Sequence, residues 1–137
     1  MISRIKRLGL PIKVYGSGND TNAIIEWGKT YWSKKEWNDF VPKEFTLYFP
    51  ESPMSITECK TMTNYEVYPD DWSLFVSNDN KTYYNIIKNQ SMCDSMHQIK
   101  FDNKLFCQKD IIFKHKATKI ENCFYFVKFV MTKNSYF

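Results

Sequence analysis

Apolar residues in this chain recur mostly at every second position, in short runs separated by polar, turn-forming stretches. Phe45, Leu47 and Phe49 fall on one side and Thr46 and Tyr48 on the other, with Pro50 ending the run. A period of two predicts a half-buried β-strand. Met54 to Thr63 alternates as well, with Met54, Ile56 and Glu58 on one face and Cys59, Thr61 and Thr63 on the other. Trp72 to Val76 and Thr82 to Ile87 flank the polar stretch Ser77 to Lys81 and read as a hairpin. Ile12 to Tyr15, Ile99 to Phe101, Leu105 to Cys107 and Ile111 to Phe113 are shorter strand candidates, with a turn at Asp102-Asn103. Phe124 to Met131 is almost continuously apolar, which predicts a strand buried on both faces in the middle of a sheet.

Between these runs lie three segments without regular period. Residues 23–40 hold Trp27, Trp32 and Trp37 among polar neighbours, and residues 88–98 are polar and loop-like. Asn64 to Asp71 reads as a loop with two tyrosines, closed by a solvated turn at Pro69-Asp70-Asp71. No stretch of ten or more residues shows a helical period. Many short strands without intervening helices predict an all-β antiparallel sandwich or jelly roll. Residues 1–11 form a basic lead-in ending at Pro11, and residues 12–137 form a single domain.

The composition strengthens the sheet reading: 18% of residues are aromatic, residues that fit a pleated, half-buried surface. The net charge of +4 is not clustered. The densest cationic stretches, Arg4 to Arg7 and Lys114 to Lys119, are interrupted by other residues, which argues against a nucleic-acid footprint. No apolar run approaches the roughly 18 residues of a membrane span, and the N-terminal stretch lacks the pattern of a signal peptide. On this reading the chain is soluble and untargeted, with a cytoplasmic setting favoured and an extracellular one open if it is excised from a secreted parent. The four cysteines, Cys59, Cys93, Cys107 and Cys123, contain no C-x-x-C pair and so spell neither a zinc knuckle nor a redox motif. Reduced, buried thiols are the expectation, with a Cys93–Cys107 disulfide as the alternative in a secreted parent.

Catalytic chemistry has little to rest on. There are two histidines, His97 and His115, and no nucleophile elbow, zincin helix or phosphate loop. Cys93 and His97 lie four apart in a polar stretch and read as unrelated loop residues. Cys93, His97, Cys107 and His115 are the right ligand types for zinc at the wrong spacing, so no metal is expected. Binding chemistry is better represented. A sugar ring stacks its C–H face on an aromatic plane while amide and charged groups bond its hydroxyls, and proteins use the same aromatics as anchors. Trp37, set among Lys35, Asn38 and other polar residues, fits this description, as do Tyr65 and Tyr68. These five are the candidate ligand-binding residues, whereas Trp32 and Trp72 are expected in the core.

The stretch WSLFVSNDNKTYYNII, Trp72 to Ile87, resembles the central hairpin of the discoidin domain, the coagulation factor V/VIII C-type domain with a galactose-binding-like fold. Thr30 to Pro50 resembles that family's Trp-Ser segment and following strand, and Tyr125 to Asn134 its aromatic-rich late strand. The three fall in the family's order and span roughly residues 12–137. The resemblance implies a jelly roll that binds carbohydrate without catalysis, through loops at one end. The segments of Trp37 and of Tyr65 and Tyr68 look like members of that loop set. Several positions depart from the pattern. Asn80 replaces the turn glycine, a change Asn tolerates because it accepts positive φ. Tyr84 stands near a usual Trp and Lys128 at a usual Arg. Glu26-Trp27-Gly28 stands where the family's Asp-Gly pair supports structural calcium, so the calcium site lacks its pair. The family's closing C-terminal strand has no counterpart before Phe137. The rival reading is a protein-interaction module, an adaptor piece of a larger intracellular protein or assembly.

Overall fold

The computed structural model describes residues 9–16, 43–62, 69–91, 93–108 and 111–134. Among these residues nine strands follow in order: β1 Lys13–Gly16, β2 Lys43–Tyr48, β3 Glu58–Met62, β4 Pro69–Ser77, β5 Tyr84–Gln90, β6 Gln98–Phe101, β7 Lys104–Cys107, β8 Ile112–Lys116 and β9 Phe126–Asn134. They form a five-stranded antiparallel sheet, β1-β2-β9-β4-β5, and two ribbons, β3-β8 and β6-β7. The all-β sandwich expected from the alternation is the fold observed.

The mid-sheet position predicted from the near-continuous apolar run in β9 is observed, but burial on both faces is not: Val127 is buried, and Phe126 and Lys128 to Met131 are half-buried. β9 lies between β2 and β4, pairing Leu47 with Val127 on one side and Val76 with Val127 on the other. Leu47, Phe49, Trp72, Leu74, Val76, Ile86, Ile87, Phe124 and Val127 form the main core. The β3-β8 ribbon and its flanks close over this face, where Met54, Ile56, Cys59, Ala117 and Ile120 pack against it. Trp72, expected in the core, is completely buried. It stacks on Phe129 at 5.2 Å and meets the His115 ring edge-on at 4.8 Å. His115 Nε2 is 2.9 Å from Thr61 Oγ1, a bond that ties β8 to β3 beneath the indole.

Three further expectations are corrected. Met54, Ile56 and Cys59 all pack on the core and Thr61 is buried, so the inward phase shifts between Ile56 and Cys59. The cause is a change of partner: Met54 makes an isolated bridge to Phe124, whereas β3 from Glu58 pairs with β8. Pro69 to Asp71 is not a free turn but the start of β4, where Pro69 faces Asn134 with irregular register, as expected of a proline that cannot donate to the ladder. Asp71 there accepts a 2.8 Å hydrogen bond from the Thr132 hydroxyl. The segment read as loop from residue 88 is strand to Gln90, because the β4-β5 ladder carries bulges. Leu74 pairs with Ile87 but Phe75 with Asn85, which leaves Ile86 as the extra residue and lets both isoleucines turn inward. A second irregularity brings Asn89 to φ 44°, and the Ser73 hydroxyl accepts from its N–H at 3.0 Å.

The β4-β5 turn behaves as its sequence implies. Asn80 adopts φ 60°. The Ser77 hydroxyl accepts from the Asn80 N–H, and the Asp79 carboxylate from the Thr82 and Lys81 N–H groups at 2.8 and 2.9 Å. Those two bonds, Thr82 first, hold the Asp79 carboxyl below the ordinary carboxylate range. The Lys128 ammonium, at the position where the resembled family commonly has arginine, sits 4.1 Å from the centre of the Tyr83 ring.

Candidate functional site

The register assigns the described termini of the five-stranded sheet to one of two ends. Lys13, Tyr48, Phe126, Ser77 and Tyr84 mark the lower end of the five-stranded sheet; Gly16, Lys43, Pro69 and Gln90 mark the upper end. In the second layer, Thr61 and His115 lie over Trp72, and Thr118 donates to the Ile86 carbonyl at 2.8 Å. β3 therefore runs toward the upper end, and β8, paired with Met62 at Ile112, starts there.

The two connections that hold the sequence-derived candidates are thus flanked by upper-end strand termini: Gly16 and Lys43 on one side, Met62 and Pro69 on the other. Trp37, Asn38 and Lys35 in the first, and Tyr65 and Tyr68 in the second, lie outside the described residues, as does Glu26-Trp27-Gly28. The third upper-end connection, between β5 and β8, is largely described, and here the sequence reading missed the pertinent groups.

Cys93 and Cys107 are joined by a disulfide, with Cα atoms 5.8 Å apart. The expectation of four reduced thiols is overturned for this pair. Cys107 ends β7 opposite Gln98, and with Cys93 and Phe113 it builds a small second core in which the bridge is enclosed. Cys59 and Cys123 are free, and burial pushes the Cys59 thiol above its ordinary value. The zinc grouping dissolves for the same reason: two of its members are consumed by the bridge, and His115 is engaged with Thr61 under Trp72. Among the described residues, no three His, Cys, Asp or Glu side chains come together to hold a metal.

Asp94 follows the first cysteine and caps the 3-10 turn Ser95–His97. Its carboxylate accepts from the His97 N–H at 3.0 Å and lies 2.6 Å from the ring Nδ1. The His97 side chain, first among the causes, holds the Asp94 carboxyl below the ordinary range. The imidazole also meets the Phe113 ring edge-on at 5.5 Å, so Cys93 and His97 belong to one built unit rather than to a featureless loop. Beyond it, β6 and β7 form a hairpin whose turn residues Asp102 and Asn103 have φ 51° and 61°, the left-handed pair of a two-residue turn. Met96 and Phe101 are strongly exposed, at 87% and 70%. A C-x13-C loop enclosing Asp-x-x-His is the sequence signal that could have marked this unit.

Comparison with known proteins places this architecture. No protein-family model matches the chain, and no curated protein matches it. Among solved structures, the CBM32-6 module produced by Clostridium perfringens aligns at TM-score 0.58 and 17% identity, covering 90% of this chain and 85% of that one. The family 32 carbohydrate-binding module of NanJ from C. perfringens, in complex with galactose, aligns at 0.58 and 4% identity over 89% and 82%. The CBM32-5 module from the same organism, in complex with GalNAc-β-1,3-galactose, aligns at 0.55 and 15% over 89% and 84%. At these identities the likeness is one of fold: this chain has the β-sandwich fold of these modules, which discoidin domains share.

Proposed function

We propose that this domain is a non-catalytic binding module of the discoidin type that recognises carbohydrate through the connections at its upper end. The observation that carries the reading is the strand register. It gives three connections flanks at one end of the sandwich, and two of them hold Trp37, Lys35, Asn38, Tyr65 and Tyr68. Solved relatives in fold with galactose and with GalNAc-β-1,3-galactose bound support carbohydrate as the ligand class. The chemistry agrees with it: aromatic planes for sugar faces, and amide and ammonium groups for hydroxyls. The Cys93–Cys107 disulfide supports an oxidising compartment over the reducing cytosol favoured from the sequence.

The test is a glycan array probed with the purified domain, alongside Trp37→Ala, Tyr65→Ala and Tyr68→Ala. Selective binding by the unaltered domain, lost in Trp37→Ala at unchanged melting temperature, is the expected result. A flat response across neutral and acidic glycans overturns the reading, and a sugar-insensitive protein complex recovered in a pull-down would then support the adaptor alternative.

A further inference from the structure

The disulfide-closed unit has properties that its fold does not require. Asp94 would cap the 3-10 turn equally well over any residue at position 97, since the cap uses only the backbone N–H. A histidine there, its Nδ1 2.6 Å from the carboxylate and its ring edge-on to Phe113, is instead fixed in orientation. With Nδ1–H committed to Asp94, Nε2 is the acceptor of the neutral ring, and it has no partner among the described residues. The side chain is 32% exposed, enough for a solute to reach it. The surroundings are rigid: the His97 carbonyl accepts from the Gln108 N–H at 2.8 Å, and the bridge from Cys93 to Cys107 clamps both ends. A polar group presented in one geometry by a stiff frame loses little freedom on binding, which is the condition for a selective contact.

We propose that His97 is a ligand-contacting residue of the upper-end site, accepting a sugar hydroxyl at Nε2, and that Asp94 is its positioning residue. The inference rests on the carbohydrate reading above and adds to it the third upper-end connection. A sugar hydroxyl is the matching chemistry: it donates to the imidazole and keeps its own lone pairs for a second donor. The exposed Met96 beside His97 in the chain adds apolar surface on which a sugar's C–H face can rest.

The experiment is an NMR titration of the full chain, oxidised, with galactose and with GalNAc-β-1,3-galactose, following both backbone amides and the imidazole nitrogens. In the unaltered protein the His97 Nε2 resonance moves on saturation. His97→Ala weakens binding about three- to tenfold, the loss of one hydrogen bond, and His97→Gln recovers part of it. Asp94→Asn, which keeps the cap and an acceptor for Nδ1–H, binds within about twofold of the unaltered protein, and Asp94→Ala weakens binding as His97→Ala does. Retained amide dispersion in each variant shows that folding is intact. Amide shifts in other upper-end segments, with His97 unmoved and His97→Ala binding normally, overturn this inference and leave the carbohydrate reading standing. No shift anywhere with either sugar overturns both for galactose-type ligands.

Discussion

Replacing both Cys93 and Cys107 with alanine opens the only covalent closure among the described residues, and its energetic consequence can be worked from the loop it closes. The two cysteines are 14 positions apart. Closing a loop of about 15 residues removes roughly 10 cal/mol/K of entropy from the unfolded chain, or about 3 kcal/mol at room temperature. For a chain of 137 residues the entropy of unfolding is near 0.3 kcal/mol/K, so the melting temperature falls by about 10 °C. The bridge is enclosed with Phe113 in the second core, and alanine leaves a void where the sulfurs packed, so the loss is not smaller than the entropic figure. The measurement is thermal and urea unfolding of the double variant in a Cys59→Ser, Cys123→Ser background, which prevents thiol exchange through the exposed Cys123. Thiol counting in the native protein fixes the reference state: two reactive groups without reductant, Cys123 fast and the half-buried Cys59 slow, and four after reduction under denaturing conditions. A double variant that melts within 2 °C of its parent, or four thiols counted without reductant, refutes the reasoning.

Stability also depends on pH through His115, whose imidazole burial holds below its ordinary value of about 6.5. On acidification the unfolded chain takes up that proton first, so the contribution is complete above about pH 6.5 and is lost as pH falls toward the folded-state value. In a His97→Gln background the urea midpoint therefore declines between pH 7 and 5, and His115→Gln removes that slope; an equal slope in both proteins contradicts the assignment. Asn103→Val, which forces a β-branched residue into φ 61°, destabilises by about 1–2 kcal/mol in urea, and Asn103→Gly does not.

Much of the fold could be read from the chain because its core is simple. Phe45, Leu47 and Phe49 alternate against one buried face, and the doubly apolar Phe126 to Val130 marks the strand with neighbours on both sides. The failures occur where pairing, not pattern, sets the phase. A change of partner between Met54 and Glu58 and the bulge at Ile86 both break a strict period of two, and neither leaves a local signature. Pro69 reads as a stop, yet it opens β4 as its first residue, at a point of irregular register, one of the places in a strand where proline is tolerated. The proposed site was harder still. Aromatics in polar company announce themselves singly, as Trp37 and Tyr65 do, but the Asp94–His97 pair becomes informative only once the bridge and Phe113 fix its ring.

The two ends of the sandwich are built to different rules, and this difference argues for where a ligand can bind. At the lower end the described connections are consumed by the fold. Phe49 donates to the Tyr125 carbonyl at 2.8 Å, Met54 and Phe124 exchange backbone bonds, and Ala117 donates to Thr57. The turn there spends its side chains on itself, with Ser77 and Asp79 bonded to their own backbone and the Tyr83 hydroxyl to Asn80. A ligand at that end would have to displace bonds that hold the layers together, and each lost bond costs more than a new one returns. At the upper end the β5-β8 connection is anchored by a disulfide with its own small core, apart from the main core cluster. Side chains on such a frame can be chosen for contact rather than for packing, which is why an oriented histidine and large exposed apolar groups can persist there without loosening the sheet.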